Sequence, residues 1–109
     1  MSDYQPDNWV IIKFNEPNPH YRVLAGWSGG YATGDSWRMN SGIVNHKFDG
    51  TYWYFYSSSG SCYMCYLDSY GLRMNNAHVW YALQKHYGDK VKLLEDQEWI
   101  AKNWDWIIK

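Results

Sequence analysis

The sequence predicts an α+β fold: a twisted antiparallel β-sheet of about five strands, with one or two C-terminal helices packed on one face. Three observations predict it. Short β-branched and aromatic runs recur through the first two thirds of the chain, separated by Gly, Pro, Asn and Asp. Around residues 68–71 the apolar spacing changes from that of strands to that of a helix. The chain has 109 residues, enough for a single domain with one core and too few to divide that core in two.

Residues 1–8 read as a loose terminal arm. Residues 9–14, WVIIKF, form the first strand, which Pro17 and Pro19 end by removing backbone donors. Residues 20–27 return antiparallel, with Tyr21, Val23, Ala25 and Trp27 on one face and Arg22 and Leu24 on the other. Residues 36–40 are extended, Ser41-Gly42 is a turn or bulge, and residues 43–47 continue as a strand. Asp49-Gly50 is a hairpin turn, because Gly accepts the positive φ such turns need. Residues 51–56, TYWYFY, are aromatic on both faces and are expected to lie mid-sheet, covered on both sides. Residues 57–60 turn the chain into a matching strand over 61–67. Asn75 or Asn76 caps a helix over 77–87 that Gly88 ends, its stripe of Val79, Leu83 and Tyr87, with Trp80 beside it, facing the sheet. Residues 91–94 form an edge strand, Asp96 caps a second short helix, and residues 104–108 close the chain.

Eight Trp and eleven Tyr among 109 residues are more rings than one small core can enclose. Several must lie at the surface or at an interface, where they suit recognition. The same exposed area predicts a homodimer. The alternative is an aromatic core with tyrosines around its rim. Ten basic residues against eleven acidic ones, with no basic run, exclude a duplex nucleic-acid footprint. The polar start MSDYQPDNW predicts no leader peptide, and no apolar run has the length to cross a bilayer. Two cysteines and no N-x-S/T sequon point to a reducing cytoplasm.

The chemical motifs are few. Cys62-x-x-Cys65 followed by His78 imitates three zinc ligands. His86, the fourth candidate, lies eight residues beyond His78, and eight helical residues rise about 12 Å. In a strand Cys62 and Cys65 also face opposite sides, so no metal site is expected. Gly34-Asp35-Ser36 imitates an esterase nucleophile block, but no Asp stands three residues before any histidine. His46 and Asp49 flank a hairpin and could meet. No phosphate loop, dinucleotide fingerprint or H-E-x-x-H is present, so neither a cofactor nor catalysis is expected.

One stretch remains, residues 27–43, WSGGYATGDSWRMNSGI. Its glycines free the backbone, and between them stand Trp27, Tyr31, Asp35, Ser36, Trp37, Arg38 and Asn40. Glycine N–H groups and Arg38 could hold an anionic or polar group while Trp27, Tyr31 or Trp37 stacks on a planar one. The same residues also suit a twisted β-bulge in which Arg38 pairs with Asp35.

The segment YRVLAGWSGGYATGDSWRMNSGI, followed by an aromatic hairpin and YGLRMNN, resembles small accessory proteins encoded by tailed bacteriophages. That resemblance implies an early viral protein acting inside a bacterium against host defence. It carries over no site residue. The leading expectation is a non-enzymatic binding module that inhibits a host protein through its aromatic, Gly-rich surface. The alternatives are a sponge holding a nucleotide-like signal against Trp27, Trp37 and Arg38, and a small hydrolase or nuclease.

Overall fold

A computed structural model of the chain describes residues 3–15, 18–30 and 34–95. The strands are β1 (Asp3–Tyr4), β2 (Asn8–Phe14), β3 (His20–Gly30), β4 (Gly34–Met39), β5 (Ile43–Phe48), β6 (Tyr52–Ser57), β7 (Cys62–Tyr66) and β8 (Val91–Leu93). One α-helix, α1 (Met74–Tyr87), lies between β7 and β8. The α+β class with mostly antiparallel pairing is the one the sequence predicts. The strands divide between two four-stranded sheets, however, ordered β1-β7-β6-β5 and β4-β3-β2-β8.

Three layers result. Trp9, Ile11, Tyr21, Val23 and Ala25 from the second sheet meet Ile43, Trp53, Phe55, Tyr63 and Cys65 from the first, forming one core between the sheets. Val10, Ile12, Phe14 and Leu24, on the opposite face of the second sheet, pack against Val79 and Trp80 of α1. The helix therefore covers the second sheet, and β2 is the strand buried on both faces. The expectation that residues 51–56 are covered on both sides is corrected. Trp53 and Phe55 are buried, but Tyr56 is exposed and Tyr52 and Tyr54 are half-buried. The helix has one apolar stripe, and the β-branched run of β2 offers it the closer-packed aliphatic face.

From Asp3 onward, the arm expected to be loose is built into the fold. β1 pairs parallel with β7, placing Asp3 beside Cys62 and Tyr4 beside Tyr63. Asp7 accepts the Ser28 N–H at 2.8 Å, and Asn8 is fully buried. The Asp49-Gly50 turn forms as expected, with Gly50 at φ +97° and Asp49 Oδ1 accepting the N–H groups of Thr51 and Tyr52. The second helix expected near Asp96 and the closing segment 104–108 lie outside the described residues.

The helix begins three residues earlier than its apolar pattern suggests, because Asn76 caps it from inside. Its Oδ1 accepts the Arg73 N–H at 2.9 Å. Asn75 and Asn76 then turn inward onto Asn8. Asn75 Nδ2 donates to Asn8 Oδ1 at 2.6 Å, and Asn8 Nδ2 donates to Asn76 Oδ1 at 3.2 Å and to the Gly71 carbonyl at 3.0 Å. Asn76 Nδ2 reaches the Leu24 carbonyl at 3.3 Å. Asn75 Oδ1 accepts no conventional hydrogen bond among the described residues. It faces the point where a Cβ on Gly26 would stand, so a Gly26 Cα–H supplies the close weak donor there.

Gly26→Ala would drive a methyl into the Asn75 amide, and the expected loss is about 1–3 kcal/mol. Urea unfolding checks it, and the same substitution in an Asn75→Ala background is expected to cost distinctly less.

Candidate functional site

Alternation along β4 decides what the Gly-rich stretch can do. β4 pairs with β3 so that Arg38 lies opposite Ala25, Trp37 opposite Gly26 and Ser36 opposite Trp27, with a register shift between Trp27 and Gly30. Side chains opposite each other share a face. Ser36 and Arg38 therefore stand on the inter-sheet side with Ala25 and Trp27, while Trp37 stands on the helix side. There it borders a groove with Val79, Leu83 and Tyr87 and is 46% exposed. Trp27 is half-buried against the inter-sheet core and donates its Nε1–H to the Gln5 carbonyl at 3.0 Å. The site expected to gather Trp27, Trp37 and Arg38 around one ligand is not assembled, because neighbouring residues of a strand point to opposite faces. Asp35 belongs to β4, but its side chain lies outside the described residues, as does all of Tyr31.

Asn40 stitches the two sheets together. Its Oδ1 accepts the Val23 N–H at 2.9 Å, its own N–H donates to the Val23 carbonyl at 3.1 Å, and its Nδ2 donates to Ser57 Oγ at 3.1 Å. Ser41 Oγ continues the seam, sharing a hydrogen bond with Ser58 Oγ and accepting the Ser59 N–H. With its amide occupied and only 3% exposed, Asn40 shapes the site rather than offering itself to a ligand.

Beside this seam opens a cavity of about 420 Å³, bordered by Tyr4, Arg22, Arg38, Ser59, Ser61 and Tyr63 as well as by Asn40. That volume suits a small organic ligand. The Arg38 guanidinium lies 4.7 Å from the centre of the Tyr4 ring. Among the described residues no carboxylate pairs with Arg38, and none borders the cavity. The guanidinium of Arg22 is already engaged. It lies 5.1 Å from the Phe14 ring centre, and its Nε–H donates to His20 Nε2 at 3.1 Å.

Tyr63 is the residue that sequence reasoning missed. It is 2% exposed as a whole, and its hydroxyl, which is not sealed from solvent, makes no hydrogen bond among the described residues. Burial pushes its pKa up to about 12, even though the charge of Arg38 acts in the opposite direction. At neutral pH the phenol is therefore a proton donor beside a guanidinium, and the two together favour an anion or a strong acceptor. The alternation in CYMCY placed Tyr63 on the face of Cys65; the pairing of β1 with β7, which brings Tyr4 to the site, left no local signal.

The other pairings that the sequence spacing raises do not form among the described residues. Cys62 lies opposite Tyr56 and Cys65 opposite Trp53, so the two thiols stand on opposite faces of β7 and cannot share one ion. Cys65 is fully buried, and burial holds its thiol well above the ordinary range. His46 lies opposite Phe55 on the core side, while the Asp49 carboxylate is held by Thr51, Tyr52 and Tyr54. Among the described residues no three His, Cys, Asp or Glu side chains gather as a metal site, and no helix is long and apolar enough to cross a membrane. Compared with protein-family models, curated proteins and solved structures, the chain matches none.

Two outcomes are expected. Asn40→Ala strands the Val23 N–H and the Ser57 hydroxyl, at a cost of about 1–3 kcal/mol in chemical unfolding. The folded chain also keeps the Tyr63 proton up to about pH 12, whereas an unfolded tyrosine releases it near pH 10. This contribution to stability is complete below about pH 10 and lost as pH rises toward 12. Tyr63→Phe is expected to flatten that decline, read from urea midpoints across the alkaline range.

Proposed function

We propose that this protein is a non-catalytic binding module that grips an anionic group in the cavity at Arg38. The observation that carries the reading is the convergence there of an arginine without a carboxylate partner and a tyrosine hydroxyl without an acceptor, each among the described residues. A guanidinium and a protonated phenol at one cavity offer charge-assisted and neutral donors to the same anion. The serines that border the cavity have no histidine beside them there among the described residues. The chemistry available is therefore recognition by donors, with no base placed to activate a hydroxyl.

The resemblance to phage accessory proteins gives this reading its setting. A module of this kind acts stoichiometrically inside a bacterium, by occupying a host protein at an anionic side chain or by sequestering an anionic small molecule. Stacking of a planar ligand has less support in this cavity. Tyr4 is already packed by Arg38 at 4.7 Å and by Tyr63 at 4.9 Å between ring centres, and Trp37 faces the other side of the sheet.

Titration with inorganic phosphate and with a sugar phosphate, followed by calorimetry or by amide chemical shifts, tests the reading. Binding should be saturable, fall by roughly tenfold or more in Arg38→Ala and fall several-fold in Tyr63→Phe. Both variants should unfold at denaturant midpoints that show an intact fold. Equal binding by the wild type and Arg38→Ala would sink the proposal.

A further inference from the structure

A second cavity, of about 440 Å³, lies on the outer face of the first sheet, across β1 from the first. It is bordered by Asp3, Gln5, Tyr54, Tyr56, Cys62 and Met64. Strand register explains the grouping. Asp3 lies opposite Cys62, which lies opposite Tyr56, and Met64 lies opposite Tyr54. β7 thus supplies a thiol and a thioether between two tyrosines on one side and the carboxylate of Asp3 on the other.

The electrostatics of this hollow are the reverse of those at Arg38. Asp3 has no ion pair among the described residues, and no Lys or Arg borders the cavity. Aromatic faces carry the negative end of the ring quadrupole and attract cations. The Tyr54 ring already does so within the chain, since Lys47 Nζ lies 5.8 Å from its centre. That ring is also fixed in place, because its hydroxyl donates to Asp49 Oδ2 at 2.8 Å. Burial and the nearby charge of Asp3 both push the Cys62 thiol upward, which keeps it neutral and adds no competing anion.

We propose that this hollow binds an organic ammonium group, with Tyr54, Tyr56 and Met64 enclosing the alkylated nitrogen and Asp3 balancing its charge. A bare metal ion does not fit, since one carboxylate and a protonated thiol give too few hard ligands. A neutral apolar ligand would leave the Asp3 carboxylate at the mouth with nothing to pair with. An alkylated ammonium meets both features, presenting methyl groups to the rings and sulfur and its positive charge to the carboxylate. Such a group is carried by free quaternary amines and by methylated lysine side chains. Tyr4 borders both this hollow and the one at Arg38, but Asp3, Tyr54, Tyr56 and Met64 border only this one.

The test compares choline with 3,3-dimethylbutan-1-ol, its neutral isostere, by chemical-shift titration of the intact chain. Choline should saturate at millimolar concentration and bind at least about tenfold more tightly than the isostere. Asp3→Asn and Tyr56→Leu should each weaken choline about fivefold or more. Both positions are solvent-exposed, so the fold should survive, and phosphate binding at Arg38 should be unchanged. A trimethyllysine peptide binding more tightly than choline would assign the site to a protein side chain, and the reverse order to a free amine. Equal binding of choline and its isostere, no saturation, or unchanged affinity in both variants would overturn the proposal.

Discussion

Everything in this fold depends on β2 being buried on both faces. Trp9 and Ile11 point into the core between the sheets, and Val10 and Ile12 point toward α1, all with essentially no exposure. Burying such side chains contributes about 1.5–3 kcal/mol each, so this short run outweighs any single polar contact in the protein. It also requires a partner layer on each side. One is the aromatic face of Trp53, Phe55 and Tyr63, and the other is the helix. With the helix committed to that second role, the tyrosine face of the first sheet has no cover among the described residues. The cavity at Asp3 exists for that reason.

Amides then choose the geometry that the apolar layers leave open. A net hydrogen bond contributes only about 0.5–1.5 kcal/mol, but a buried amide left unpaired costs more than that, so its partners must be in place. Asn8, Asn75 and Asn76 fix the start of α1 against the start of β2, and Gly26 is small enough to face Asn75 there. Asn40 does the same where the chain passes from one sheet to the other. The Asn40 contacts join the two sheets at the border of the cavity beside Arg38.

Local patterns made the strands, the Asp49-Gly50 turn, the end of α1 at Gly88 and the faces of β3 legible. They could not show that the strands belong to two sheets, because Tyr52 and Tyr54 alternate as regularly on an open face as they would on a covered one. Of the Gly-rich stretch, Arg38, Met39, Asn40 and Ser41 border a cavity. The expected grouping of Trp27 and Trp37 fails because β3 pairs Trp27 with Ser36, which leaves Trp37 on the opposite face of the sheet. Tyr4 and Tyr63 were invisible for a different reason. They meet through a parallel pairing between distant segments, which no local spacing encodes.

The position of β2 also has a consequence during synthesis. Its neighbour β3 follows at once, but its other neighbour, β8, and the helix that covers Val10, Ile12 and Leu24 are among the later described segments to leave the ribosome. Until residues 74–93 emerge, the nascent chain carries a bare aliphatic face and an open strand edge, the combination that invites wrong pairing. Emergence of residues 74–93 covers that face and adds the last strand of the second sheet, and the interval before they arrive is when the chain depends most on being kept apart from its neighbours.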